Sequence, residues 1–151
     1  MRFLFCDRIV KITKGEFMEG IKVFSLSEEF LNGHFEKRPL VPGTILIETM
    51  AQSLGWLINY SHDFQFMPII TLLEDVEASQ TMAPGFEARV QSRMLSTTST
   101  DSLGQAEIHV DGEIIARADR MIYRHFPVSD PLPLINQFNL IAGSGIAPVV
   151  A

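Results

Sequence analysis

The sequence predicts an α+β fold in which an antiparallel sheet wraps one long buried helix, and three observations carry that expectation. Residues 44–60 place apolar side chains at 47, 50, 51, 54 and 58, a helical stripe. The other faces of that stretch are mostly apolar too, as in a helix covered on all sides. The second half is a run of alternating segments. In 86–94 the even positions are apolar or small and face inward, 105–110 alternates again, and Asp111-Gly112 leads into a return strand over 113–123. No internal repeat appears, so the expectation is a single unit with one central helix.

The remaining elements follow in chain order. Residues 3–12 are apolar around a charged break and suit a strand or a short helix leading into one. Residues 13–16 form a turn. Residues 17–24 suit a strand with Ile21 and Val23 on one face and Lys22 on the other. A single helical turn over 27–31 precedes a loop, and 61–66 connects the helix to a buried strand at 68–73. Residues 97–104 read as a polar loop, and Ala116 and Ala118 share one face of the last strand. The expected division is a domain over 1–126 and a proline-rich apolar extension over 127–151. Pro127, Pro131, Pro133 and Pro148 argue against regular structure there, while Leu134, Ile135, Phe138 and Ile141 are too apolar for a solvated tail. The extension is expected to pack on its own domain or on a neighbouring subunit.

With 151 residues and 46% hydrophobic content, the chain can bury a real core as one domain. A net charge of −6 argues against a nucleic-acid partner. One cysteine permits no internal disulfide, which fits a reducing, cytoplasmic setting, and Cys6 reads as a packed core residue. Asp7 and Arg8 interrupt the apolar start, so no signal peptide is expected. The central helix is short and carries Glu48, Gln52 and Ser53, which excludes a membrane span. His62, His109 and His125 lack ligand spacing, so neither a metal nor any other cofactor is expected.

Chemistry concentrates between Gly33 and Tyr60. Glu48 is the only formal charge from Thr44 to Tyr60. A buried lone carboxylate must be hydrogen-bonded, protonated or held for a task, and Gln52, one turn later, could hold it. Pro42-Gly43 opens the helix, leaving the Gly43 and Thr44 amides unpaired at the positive end of the macrodipole. Such an end can receive a carbonyl oxygen that gains negative charge. His34, upstream, titrates near neutrality and suits proton transfer.

Gly33-His34-Phe35, Arg38-Pro39-Leu40-Val41-Pro42-Gly43 and Ile45-Leu46-Ile47-Glu48-Thr49-Met50-Ala51-Gln52 together resemble the signature of the β-hydroxyacyl-[acyl-carrier-protein] dehydratases, the FabA/FabZ group. Glu at 48 followed by Met-Ala-Gln is closer to the FabZ branch, which dehydrates without the isomerase step of FabA. The start, Phe3-Leu4-Phe5-Cys6-Asp7-Arg8-Ile9-Val10, is similar as well, and the likeness extends more faintly to Tyr123. The resemblance implies a single hot-dog fold and dehydration of acyl-carrier-protein-linked β-hydroxyacyl thioesters to trans-2-enoyl thioesters, in fatty-acid or specialised fatty-acyl or polyketide-like biosynthesis. His34 would be the base, and Glu48 the acid or water-orienting group. The Gly43 amide would bind the thioester carbonyl, with Leu40 and Gln52 in support. It also implies a homodimer, or a trimer of dimers, with His34 from one chain and Glu48 from the other.

The carrier protein is acidic in this family, so docking on a chain of negative net charge needs a local basic patch. Lys37 and Arg38 are the first candidates, with Arg120 and Arg124 behind them. Met50, Met82 and Met94 are candidates for lining an acyl tunnel. Two departures stand out: Glu36 where the family most often has proline, and 77–83 where it is commonly basic and aromatic. They suggest a specialised pathway with its own carrier. The rivals are a hot-dog thioesterase, an enoyl-CoA hydratase, and a non-catalytic acyl-binding or structural subunit.

Overall fold

A computed structural model of the chain describes residues 3–33, 35 and 37–150. Six strands form one antiparallel sheet: β1 (Arg8–Thr13), β2 (Phe17–Phe24), β3 (Phe66–Ala78), β4 (Phe86–Thr97), β5 (Asp101–Val110) and β6 (Glu113–Pro127). Their order is β1-β2-β4-β5-β6-β3, so β1 and β3 are the edges. The sheet curls around α1 (Gly43–Ser61), which touches β2, β3, β4, β5 and β6. This is the hot-dog arrangement. A second helix, α2 (Leu132–Ile141), follows the last strand.

Helix α1 starts where Pro42, with φ −61° and ψ 139°, is still extended and supplies its carbonyl to the Ile45 amide at 2.9 Å. It ends at His62, after which Asp63 and Phe64 take positive φ (53° and 59°) and the Phe64 amide returns to the Asn59 carbonyl at 2.8 Å. After its first turn no residue of α1 is exposed. Leu46, Met50, Leu54, Leu57 and Ile58 are wholly buried, whereas Ile47 and Ala51 are half-buried. The deepest stripe is therefore rotated from the one the spacing suggested, because the sheet covers the 46/50/54/57 side. Each such leucine contributes about 1.5–3 kcal/mol by leaving water.

The helix can lie close to the sheet because the sheet side chains beneath it are small. Ala88, Ala106, Ala116 and Ala118 are buried. At Gly104 a Cβ would stand 2.7 Å from a Leu54 methyl and 2.8 Å from the Arg93 carbonyl. Ser92 Oγ donates to Ser53 Oγ at 2.8 Å, satisfying two buried hydroxyls across the same contact.

Several expectations need correction. Residues 97–104 are not a loop: β4 runs to Thr97 and β5 begins at Asp101, with polar side chains on an exposed hairpin end. In β2 it is Lys22 that is buried and Val23 that is exposed. The Lys22 ammonium is neutralised by Glu28 at 2.6 Å and Asp7 at 3.4 Å, which lets a charged residue occupy an inward position. Strand β3 is longer than 68–73 and has no fully buried residue, being an edge strand. Pro68 within it was the readable sign, since proline in a sheet belongs at an edge. Prolines also do not keep 127–151 irregular. Pro131 caps α2 and Pro133 sits in its first turn, where the missing N–H has no cost. The buried face of α2 comprises Ile135, Phe138 and Ile141. Phe138 packs against Trp56, Tyr60 and Phe64 at ring distances of 6.2, 5.3 and 5.2 Å.

Candidate active site

The site is built on the start and first two turns of α1. Gly43 is buried, and among the described residues its amide and that of Thr44 find no acceptor, while the Ile45 and Leu46 amides share the Pro42 carbonyl. The preceding loop is held by the Val41 amide, which donates to the Met82 carbonyl at 2.8 Å. That bond ties the helix start to the segment joining β3 and β4. From the same segment the Gln80 carboxamide lies against Gly43, and a Cβ at residue 43 would collide with it. The absence of a side chain at Gly43 is what lets the Gln80 carboxamide come this close.

One turn on, Glu48 is half-buried rather than buried as the sequence suggested, because it faces a groove instead of the sheet. Gln52 Nε2 donates to Glu48 Oε1 at 2.8 Å and to the Phe3 carbonyl at 3.2 Å, and Gln52 Oε1 accepts the Phe5 amide at 2.8 Å. Tyr123, buried on β6, donates from its hydroxyl to the Ala51 carbonyl at 2.7 Å. Burial pushes its phenol well above the ordinary tyrosine range, and the neighbouring Glu48 carboxylate pushes the same way. Tyr123 is thus a neutral wall of the site.

From Glu48 a groove of about 360 Å³ runs along α1 past Gln52, Gly55, Trp56 and Asn59. Its other sides come from Phe3 and Leu4, from residues 67–70 of β3, from Tyr123, and from Leu134 and Gln137 of α2. Carboxylate and carboxamide occupy one end of a largely apolar trough. Met50 and Met94 are in the core and do not line it, and neither does Met82. The thioether that does so is Met67.

The structure brings Glu48 and Gln52 together, with Gly43 on the same helix a turn away. Leu40 is half-buried in the approach loop, and Lys37 and Arg38 are exposed beside it. His34 and Glu36 lie outside the described residues. Sequence reasoning missed Gln80 and Tyr123. Tyr123 was findable as an inward position of an alternating strand, but nothing local in the sequence marks Gln80. Cys6 is buried, its thiol pushed up to about 12 chiefly by burial and then by Asp7, so it is no nucleophile. Among the described residues no group of three or more His, Cys, Asp or Glu side chains could hold a metal ion. No helix among them is long and apolar enough to cross a membrane.

Comparison with known proteins bears on the same segment. The FabA-like domain model matches residues 1–119. The 3-hydroxyacyl-[acyl-carrier-protein] dehydratase FabZ of Psychrobacter arcticus is 30% identical over 126 residues, spanning 81% of this chain and 86% of that protein. FabZ of Thioalkalivibrio sulfidiphilus is 29% identical, over 79% and 85% of the two chains. Among solved structures, the dehydratase heterocomplex ApeI:P of Xenorhabdus doucetiae superposes with a TM-score of 0.70 at 16% identity, covering 89% of this chain and 90% of that one. The PaaI protein of E. coli gives 0.61 at 12% identity, with 80% of each chain covered. These two share the fold. From the match over residues 1–119 and the identity to the FabZ relatives, the chain belongs to the FabA-like domain family.

Proposed function

We propose that this protein dehydrates β-hydroxyacyl thioesters carried on an acyl carrier protein, giving trans-2-enoyl thioesters for fatty-acid or related acyl biosynthesis. The observation that carries the reading is Glu48, held by Gln52 at the polar end of an apolar groove, on the same helix whose first amides, Gly43 and Thr44, have no acceptor among the described residues. The curated FabZ relatives, named as enzymes of this reaction, support it.

In this reading the Gly43 amide donates to the thioester oxygen, on which charge grows as the α-carbon loses its proton. The His34 imidazole takes that proton, and the C–H electron pair becomes the new C2=C3 bond. The C3–O bond breaks, and the departing hydroxide takes a proton from Glu48 to leave as water. The proton on His34 and the vacancy on Glu48 are reset through solvent. Gln52 aims the Glu48 carboxyl, and the Leu40 carbonyl orients His34. The acyl chain lies in the groove, and Lys37 and Arg38 receive the acidic carrier. No metal or other cofactor takes part.

His34 and Glu48 come from different copies of the chain in this account. Strand β3 supports a homodimer: it is an unpaired edge of 13 residues, with Met67, Ile69, Leu72 and Leu73 exposed along it. Such an edge pairs readily with a second copy. Segment 77–83, which holds Gln80 against Gly43, departs from the basic pattern expected of a housekeeping enzyme, and we assign the protein to a specialised pathway with its own carrier. The test is a 3-hydroxyacyl carrier substrate followed by enoyl absorbance and free thiol together. Enoyl formation without thiol release supports a dehydratase. Thiol release without enoyl formation identifies a thioesterase, and binding without either product refutes catalysis.

A further inference from the structure

We propose that α2 is the gauge that sets acyl chain length, with Leu134 as the residue that stops the chain; this rests on the dehydratase reading of the groove. Helix α2 lies wholly beyond residues 1–119, the part of the chain that the FabA-like domain model matches, yet it forms one wall of the groove. It is fixed rather than draped. Phe138 inserts between Trp56, Tyr60 and Phe64 at the C-terminal end of α1. Beyond the helix the Gly143 amide donates to the Ile9 carbonyl at 3.0 Å, and Asn139 exchanges two 2.9 Å hydrogen bonds with the Val149 backbone. One turn before Phe138, Leu134 is half-buried and lines the groove.

The geometry sets a length. Glu48 and Asn59, both lining the groove, are separated by about 16 Å of helix. An extended chain covers about 3.5 Å in three bonds, so this distance suits an acyl chain of about fourteen carbons. Longer chains meet α2. Because a single methylene in an apolar pocket is worth about tenfold or more in discrimination, one side chain at the stop can set the preference.

The experiment uses the full chain and a ladder of 3-hydroxyacyl carrier substrates in two-carbon steps. Leu134→Ala is expected to raise kcat/KM for substrates longer than the wild-type optimum by about tenfold relative to that optimum. Leu134→Phe is expected to shift the optimum at least one step shorter, with turnover of the shortest substrates retained. Leu132→Ala, on the exposed start of α2, keeps the wild-type profile. The same variants are scored for displacement of a fluorescent polyene fatty acid by saturated fatty acids of graded length, which needs no turnover. Absence of enoyl product from wild-type protein sinks the dehydratase reading, yet a shifted displacement profile still supports the gauge. Identical length profiles for wild type, Leu134→Ala and Leu134→Phe in both assays overturn it.

Discussion

Gln52 donates from Nε2 to Glu48 Oε1 at 2.8 Å while its Oε1 accepts the Phe5 amide at 2.8 Å, so one carboxamide fixes both the site carboxylate and the N-terminal wall of the groove. With the Phe3 carbonyl as its second acceptor, both Nε2 hydrogens are used. The orientation of the acid is thereby linked to the placement of a segment far away in sequence.

Gln52→Ala is expected to lower kcat by about tenfold or more, because the acid loses its aim. It is also expected to cost about 1–3 kcal/mol of stability, since the Phe5 amide loses its acceptor. Steady-state kinetics and urea unfolding read the two effects separately. Unchanged kcat with lowered stability reduces Gln52 to a purely structural residue.

The close approach of α1 to the sheet at Gly104 makes that position intolerant. Gly104→Ala drives a methyl into Leu54 and the Arg93 carbonyl and is expected to destabilise the fold by about 1–3 kcal/mol. Gly145→Ala, whose Cβ would meet nothing within 4 Å, is the comparison. Equal melting temperatures for the two variants contradict the packing described for α1.

Phe138 joins the C-terminal segment to the core. Phe138→Ala is expected to cost about 3–5 kcal/mol. Removing residues 130–151 is expected to lower the melting temperature or split the oligomer, which differential scanning calorimetry and light scattering detect. A truncated protein with wild-type melting and mass refutes a packing role for the extension.

Stability is expected to fall as pH drops below about 6.5, the ordinary histidine value. His62 and His125 stand 4.9 Å apart, ring to ring, and are bridged by Thr97 and Ser102. Burial lowers the pKa of both in the fold. For His62 the His125 ring and Lys14 add to the lowering, while Asp63 opposes it; for His125 the Ser99 backbone and Asp101 oppose it. The unfolded chain therefore takes up protons first as pH falls, and stability present above pH 6.5 is lost through the lower folded values. Urea midpoints between about pH 7.5 and 5 measure the slope. His125→Gln flattens it, and an unchanged slope in that variant places the titration elsewhere.

How much was readable from the residues depended on whether the cause was local. Asp111-Gly112 takes φ of 51° and 86°, as the hairpin signal requires, and Ala88, Val90, Ser92 and Met94 of β4 are buried as their alternation implies. Glu48 and Gln52 lie one helical turn apart, so their contact followed from spacing alone. Lys22 was misplaced because its inward position depends on Glu28 and Asp7, partners no periodicity reveals. The half-burial of Glu48 and the placing of Gln80 against Gly43 arise from how the groove and the β3–β4 segment pack on α1. Helix α2 was hidden because its prolines occupy the few helical positions where proline is tolerated.

The central claim is that an imidazole and a carboxyl from two copies of the chain act together. His34→Ala and Glu48→Ala, each inactive alone, are mixed under conditions where subunit exchange is proven by mass spectrometry. The account predicts recovery to about a quarter of wild-type dehydration, since about half the dimers are mixed and each carries one intact site of two. No recovery after full exchange, or wild-type activity in either single variant, contradicts it.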